Sequence, residues 1–516
     1  MKGTGGCIGL TENPVAFRRW MLSGPELARL QRQFEEEYLP NNDTEDPKNF
    51  QNHEQGVAAQ KTFQKQVDRL FKTFTRMGNP FMDSFPDGLS RQSSLNHLQY
   101  NDCIVLDGAV IVHCLPTNGV STFDEYAEKV FIPYLSKQLQ GATRLDVVWD
   151  TYLPFSLKES TREKRGKGVR RKVSAQTKLP GNWMDFLRNA SNKKELFAFL
   201  TSKVSEFASP PNKAVYITSD ESVVSRSNNS MPNCNHEEAD TRVVVHVLHA
   251  LEQGRTSIKV RTVDTDVVVI LVGIFYELSR IQPLADIWVA FGMGKHYRFY
   301  SVNAICTILG ESRSRGLPVF YAFTGCDTTS AFKGKGKISA WKAWQAYEEA
   351  TETFMYLANH PFEHLNTDTE HFRIMERLTV VLYDRTCPRN SANEAREELF
   401  CRKSRCMDRI PPTQNALLQH ARRAIYQAGI WTTSTQTQQM LPSPQEFAWT
   451  QVSNLWVPVW MTIPEFSKAC SELIKCSCKG VCSRCKCVTA NLACTPLCNC
   501  KCNHQFPSNG LDEADE

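Results

Sequence analysis

Seven carboxylates lie in order along more than two hundred residues of this chain. They are Asp107 in IVLDGAVIVH, Asp150 in VVWD, Glu238 and Asp240 in HEEADTR, Asp264 and Asp266 in VDTDVVVIL, and Asp327 in TGCDTTSAFKGKGK. Almost all follow or end an apolar run, where an acid is costly unless it is paired or bound to a cation. Crowded carboxylates repel one another and raise each other's pKa, and a divalent cation removes that cost. Mg²⁺ and Mn²⁺ favour hard oxygen ligands, and two such ions about 3.5–4 Å apart activate a water and stabilise the leaving oxygen of an in-line phosphoryl displacement. Asp264-Thr265-Asp266, read as extended chain, points both acids the same way. Glu238-Ala239-Asp240 opens a helix over 241–253, stopped by Gly254, and acids at a helix start are favoured by the macrodipole. Any one of these acids alone is more commonly a cap or turn residue, so the ordered set carries the signal.

A second cluster is made of thiols. Residues 476–502 carry nine cysteines: Cys476, Cys478, Cys482, Cys485, Cys487, Cys494, Cys498, Cys500 and Cys502. An odd number suits a closed disulfide set badly. It suits zinc: about three tetrahedral ions need twelve bonds, which six terminal and three bridging thiolates supply. So short a segment cannot build an apolar core, and its folding would depend on metal. Lys475, Lys479, Arg484, Lys486 and Lys501 lie among the ligands and suit phosphate contacts.

The rest of the chain must position these groups. With 516 residues, 41% hydrophobic and 10% aromatic, it has material for a large core and two to four domains. A net charge of +5 excludes little, but its distribution is uneven: residues 164–172 are strongly basic and the tail 506–516 is acidic. The start of the chain shows no apolar leader, and the longest apolar stretch, Val267 to Tyr276, is too short to span a bilayer. Nineteen cysteines without a leader point to thiols and metal in an intracellular, soluble protein with no membrane partner. The basic stretch reads either as a nuclear-import signal, giving a nuclear protein, or as a grip on substrate.

Residues 1–100 read as a helical accessory region, with apolar residues at helical spacing in 25–30 and 61–71. From 101 the texture becomes α/β: runs at Cys103–Leu106, Leu145–Trp149, Ala214–Thr218, Ile258–Val263, Ile287–Ala290 and Val319–Phe323 predict strands of a parallel sheet flanked by helices. Functional residues of such sheets collect at the carboxyl ends of the strands, where Asp150, Asp264 and Asp327 would then fall. Residues 341–465 read as helical with a Trp-rich connector (Trp431, Trp449, Trp456, Trp460), and 470–505 as the separate cysteine module.

On these motifs, residues 101–340 resemble the PIN-like nuclease superfamily, in particular its flap endonuclease/XPG branch of 5′ nucleases. Asp107 matches the family's first strand-ending Asp, Asp150 its second, and Glu238-Ala239-Asp240 its acidic pair, with Asp for the second Glu and so one methylene less reach. Asp264-Thr265-Asp266 matches its DxD, and Asp327 its last acid. The resemblance implies that these seven acids hold about two Mg²⁺ or Mn²⁺ ions. It also implies a Lys and an Arg above the site, which Lys158 with Arg162 or Arg165 would supply to grip the scissile phosphate. The glycine-rich turn of the family is matched by residues 332–337, where Lys333, Lys335 and Lys337 would contact nucleic-acid backbone. The cysteine module is similar to one repeat of the tesmin/TSO1-like CXC domain, a zinc-dependent DNA-binding unit; Lys479, Arg484 and Lys486 would meet phosphate there.

The expectation from both clusters is a metal-dependent hydrolase of phosphodiester bonds in nucleic acid, brought to DNA by the zinc module, with RNA as the other substrate such chemistry takes. The alternative is a DNA-binding chromatin or transcription protein, of mobile-element descent or not, that uses the CXC module and keeps the α/β domain as a scaffold.

Overall fold

In the run Asn101–Asp107 (β1), Cys103 and Val105 face one layer of helices while Ile104 and Leu106 face the other. Burial on both faces is what a central parallel strand requires. The structure, a computed structural model, describes residues 101–159, 168–207, 212–225, 230–293, 297–401 and 410–462. The expected accessory region 1–100, Arg162, Arg165, the cysteine module with Lys479, Arg484 and Lys486, and the acidic tail lie outside the described residues.

From β1 the chain enters α1 (Gly108–Cys114) at once. Then α2 (Phe123–Tyr126), a π-helical stretch (Ala127–Phe131) and α3 (Ile132–Gln140) lead to β2 (Ala142–Val148). Next come α4 (Trp183–Phe186), α5 (Ala190–Glu206), β3 (Ala214–Ser219) and an antiparallel edge strand, β4 (Ser222–Ser225). α6 (Ala239–Glu252) then carries the chain to β5 (Ser257–Thr262) on the far side of β1. After α7 (Thr265–Ile281) come β6 (Asp286–Phe291) and a second antiparallel edge, β7 (Arg298–Ser301).

The sheet is seven-stranded, in the order β4-β3-β2-β1-β5-β6-β7, and parallel from β3 to β6. It grows outward from β1 through β2 to β3, then restarts on the other side with β5 and β6. The crevice between the ends of β1 and β5 is therefore a topological switch point, the place where open parallel sheets bind ligands.

The five runs from Cys103–Leu106 to Ile287–Ala290 fall on β1, β2, β3, β5 and β6. The sixth does not: Val319–Phe323 forms the last turns of α8 (Val302–Phe323), a helix broken at Gly310 (φ +73°) and carrying Pro318. Each of its five residues is at most 1% exposed, and a run apolar on every side has neither a twofold nor a 3.6-residue period to reveal its type. Helices α7 and α8 cross at Gly273, where a Cβ would stand 2.4 Å from Pro318 Cγ, so only glycine fits.

The core continues past residue 340. Helices α9 (Lys337–Ala346), α10 (Ala350–Asn359) and α11 (Glu370–Tyr383) share one apolar cluster with the sheet. α12 (Ala392–Cys401) lies, from Asn393 on, in a second compact unit. α13 (Gln414–Thr432) and a hairpin, β8 (Trp449–Val452) with β9 (Leu455–Pro458), return to the first unit. Of the four connector tryptophans, Trp431 and Trp449 are buried, Trp456 is half-buried and Trp460 is exposed. Cys103, Cys114, Cys234, Cys306, Cys326 and Cys387 are free thiols. Among the described residues no helix is long and apolar enough to cross a membrane.

A buried charge network ties α6 to the sheet. Arg144 and Asp146, two apart on β2, share a face, and the guanidinium grips both carboxylate oxygens at 2.7 and 2.6 Å. His246 of α6 bonds the same carboxylate at 2.7 Å, and all three side chains are fully buried. Burial opposes the Asp146 charge, but Arg144 and His246 overcome it and hold the acid down at about 2. This network fixes the helix that Glu238 precedes as N-cap and whose first turn carries Asp240.

Candidate metal centre

Asp107 ends β1 and caps α1: Oδ1 accepts from the Val110 amide at 3.1 Å, and Oδ2 accepts from the Thr262 hydroxyl at 3.1 Å. The same Thr262 oxygen accepts from the Asp264 amide at 3.0 Å. One hydroxyl at the end of β5 thus joins the acids on either side of the switch point. Asp264 caps α7 by accepting from the Asp266 amide at 2.9 Å. The two are therefore a cap and a first-turn residue, not the extended pair that DTD alone suggests. Capping wins because four amides at a helix start need acceptors.

Asp150 follows β2 and accepts from the Ala239 amide at 3.0 Å, which docks it on the start of α6. The Tyr152 hydroxyl donates to its other oxygen at 3.3 Å. Beside these two acids the Trp149 ring lies against Gly108, where a Cβ would come within 2.3 Å of it. Glu238 is the N-cap residue of α6 without using its side chain as a cap, and Asp240 lies in the first turn. Carboxylate oxygens of Asp240, Asp264 and Asp266 all come within 4.8 Å of one another.

Asp327 joins the group from a loop, and it follows helix α8 where the sequence predicted a strand. Gly325 (φ +107°) makes the turn beneath it, with Ala331 packed so close that a Cβ would touch its backbone at 2.8 Å. Lys158 completes the set, its ammonium 2.5 Å from Glu238 Oε1 and 3.9 Å from Asp327 Oδ2. All seven acids and Lys158 thus collect at the carboxyl edge of the sheet.

The crowding shows in their protonation. Burial, then the charge of Asp150, pushes Asp107 up to about 7. Burial and Asp327 raise Asp264 to about 6. Asp240 and Asp266 are raised well above the usual carboxylate range, first by burial and next by the Asp264 charge. Burial works against the Lys158 ammonium, yet Glu238, Asp327 and Asp266 carry its net shift upward. Such a set is not stable fully ionised unless cations neutralise it, and its oxygen-only donors fit a hard divalent ion.

The glycine–lysine turn over 332–337 does connect α8 to α9, with Gly334 at φ +71°. Lys333 is exposed on it, whereas the Lys335 ammonium reaches the Tyr383 carbonyl at 3.4 Å. Lys337 is not a surface contact. It is 3% exposed, and its ammonium donates to the Tyr321 carbonyl at 2.6 Å, the Thr324 hydroxyl at 2.9 Å and the Gly325 carbonyl. The last carbonyls of α8 need donors, and Lys337 supplies them from inside the protein.

Sequence reasoning missed Thr262 and the capping role of Lys337. A Thr ending a strand next to an acid was the available signal for the first; nothing in GKGK marks the second as internal. No family model, curated protein or solved structure matches the chain.

Proposed function

We propose that the acidic pocket is the two-metal site of a PIN-like nuclease of the flap endonuclease/XPG kind, hydrolysing phosphodiester bonds in nucleic acid. The observation that carries the reading is the approach of Asp240, Asp264 and Asp266 within 4.8 Å at a sheet switch point, beside the nearly buried Lys158. A scaffold has no use for carboxylates held together against their own repulsion. When bound, Mg²⁺ or Mn²⁺ would supply a nucleophilic water and stabilise the leaving oxygen. The chain's own part is to orient. Thr262 fixes Asp107 against Asp264, the α6 amide of Ala239 fixes Asp150, and Lys158 offers a cation to a phosphate oxygen. The cysteine module, as a three-zinc CXC unit, would bring the enzyme to DNA in the nucleus.

The test is cleavage of single-stranded and flapped DNA, and of RNA, with Mg²⁺ or Mn²⁺, against the double variant Asp264→Ala/Asp266→Ala. Wild-type cleavage that the variant loses supports the reading. Absence of cleavage on every substrate, with DNA binding retained, leaves a binding protein instead. Elemental analysis should separately find about three zincs per chain, lost on truncation before Cys476.

A further inference from the structure

Between Asp150 and Lys158 the chain makes an apolar tip, Leu153-Pro154-Phe155, with Leu153 44% and Phe155 56% exposed. Exposed apolar groups are ordinary singly, but this tip is held in place. Tyr152 on its near side bonds Asp150, and Ser156 on its far side donates to Glu237 Oε1 at 2.7 Å. Phe155 itself has φ +59°, a conformation that a bulky L-residue adopts only when its surroundings impose it. They do: its amide donates to the Glu159 carboxylate and its carbonyl accepts from the Trp456 indole at 2.8 Å. Strain of this kind, clamped from both sides to present an exposed ring, is expected where the ring has a use.

We propose that Phe155 is a stacking platform for an unpaired nucleobase next to the scissile phosphate. This rests on the metal-site reading, because that site places the phosphate. Phe155 is three residues from Lys158, so their Cα atoms are at most about 11 Å apart, within reach of a nucleotide flanking a phosphate held by Lys158. Bases stack on aromatic rings whatever their identity, and apolar side chains wedge against bases freed from a duplex. A paired base already has its neighbours and gives the ring nothing to cover.

The experiment uses the full chain with Ca²⁺ in place of Mg²⁺ to hold back turnover. Its probes are a single strand and a blunt hairpin, each carrying 2-aminopurine. Phe155→Gly is the informative variant, since glycine takes φ +59° without strain and leaves both backbone clamps intact. Wild type should shift the 2-aminopurine emission of the single strand. Phe155→Gly should lose that shift and bind the strand about tenfold more weakly, the stacking of one base. Phe155→Trp should restore both, while hairpin affinity and Ca²⁺ binding stay level throughout. Equal single-strand binding and emission by wild type and Phe155→Gly would overturn the proposal, and leave the tip as a contact for another protein. Should wild type cleave nothing with Mg²⁺, the metal-site reading fails, while the emission measurement still decides the stacking role by itself.

Discussion

Lys158 Nζ lies 2.5 Å from Glu238 Oε1, both side chains nearly buried (11% and 15% exposed), in a pocket whose other groups are acids. The lysine is thus an internal cation set among the acids proposed to hold metal. In Lys158→Met the pocket loses that charge, and Mn²⁺ should bind more tightly in the absence of nucleic acid, as read by calorimetry. Cleavage should fall by about 10²–10³-fold, the usual loss when a fixed charge facing the transition state is removed. Weaker Mn²⁺ binding would show that Lys158 organises the ligands and does not compete with the ion.

Removing an acid should stabilise the metal-free protein. Asp266 is 8% exposed and faces the charges of Asp264 and Asp327. Asp266→Asn relieves that repulsion, so melting in EDTA should occur at higher temperature than for wild type. The rise in Tm on adding Mg²⁺ should shrink or vanish in the variant. A lower Tm in EDTA would mean that the carboxylate is held by partners stronger than the repulsion.

The same crowding sets a pH dependence. Burial and the neighbouring acids push Asp107 up to about 7 and Asp264 up to about 6 in the fold, against 3.8 for an ordinary Asp. Folded values above unfolded ones mean that the protonated acids stabilise the fold below about pH 4, and that this stability is lost as pH rises through 6 and 7. Metal-free protein should therefore lose on the order of a few kcal/mol between pH 4.5 and 8 in urea titrations, and saturating Mg²⁺ should flatten the curve. A metal-free protein most stable at pH 8 would contradict the assignment.

The Arg144–Asp146–His246 network predicts an asymmetry. Arg144→Leu strands a buried carboxylate and should cost about 3–5 kcal/mol. Replacing all three members by apolar residues of similar volume should cost much less, because no charge is then left unpaired. Chemical denaturation of the single and triple variants measures both.

Much of the centre was legible because acids after apolar runs are conspicuous. Asp107 ending β1 and Glu238-Ala239-Asp240 opening α6 could be placed from local pattern alone. What escaped was non-local. The run Val319–Phe323 looked like a strand because total burial erases periodicity. The short edges β4 and β7 have too few residues to alternate visibly. Lys337 looked like a phosphate contact because its true partners, the carbonyl ends of α8, lie more than ten residues back in the chain. The Arg144–Asp146–His246 network was equally invisible, since His246 lies a hundred positions from Asp146.

The contact of the Trp149 ring with Gly108 has a metrical consequence. Asp107 adjoins Gly108 and Asp150 adjoins Trp149, so the main chains that carry these two acids approach no closer than the indole plate resting on bare backbone allows. A hydrogen bond stretches by tenths of an ångström at little expense, whereas ring against main chain is nearly incompressible. How near the ends of β1 and β2 stand at the acidic edge is in this way a hard dimension of the apolar core, written by an aromatic ring and a missing methyl group.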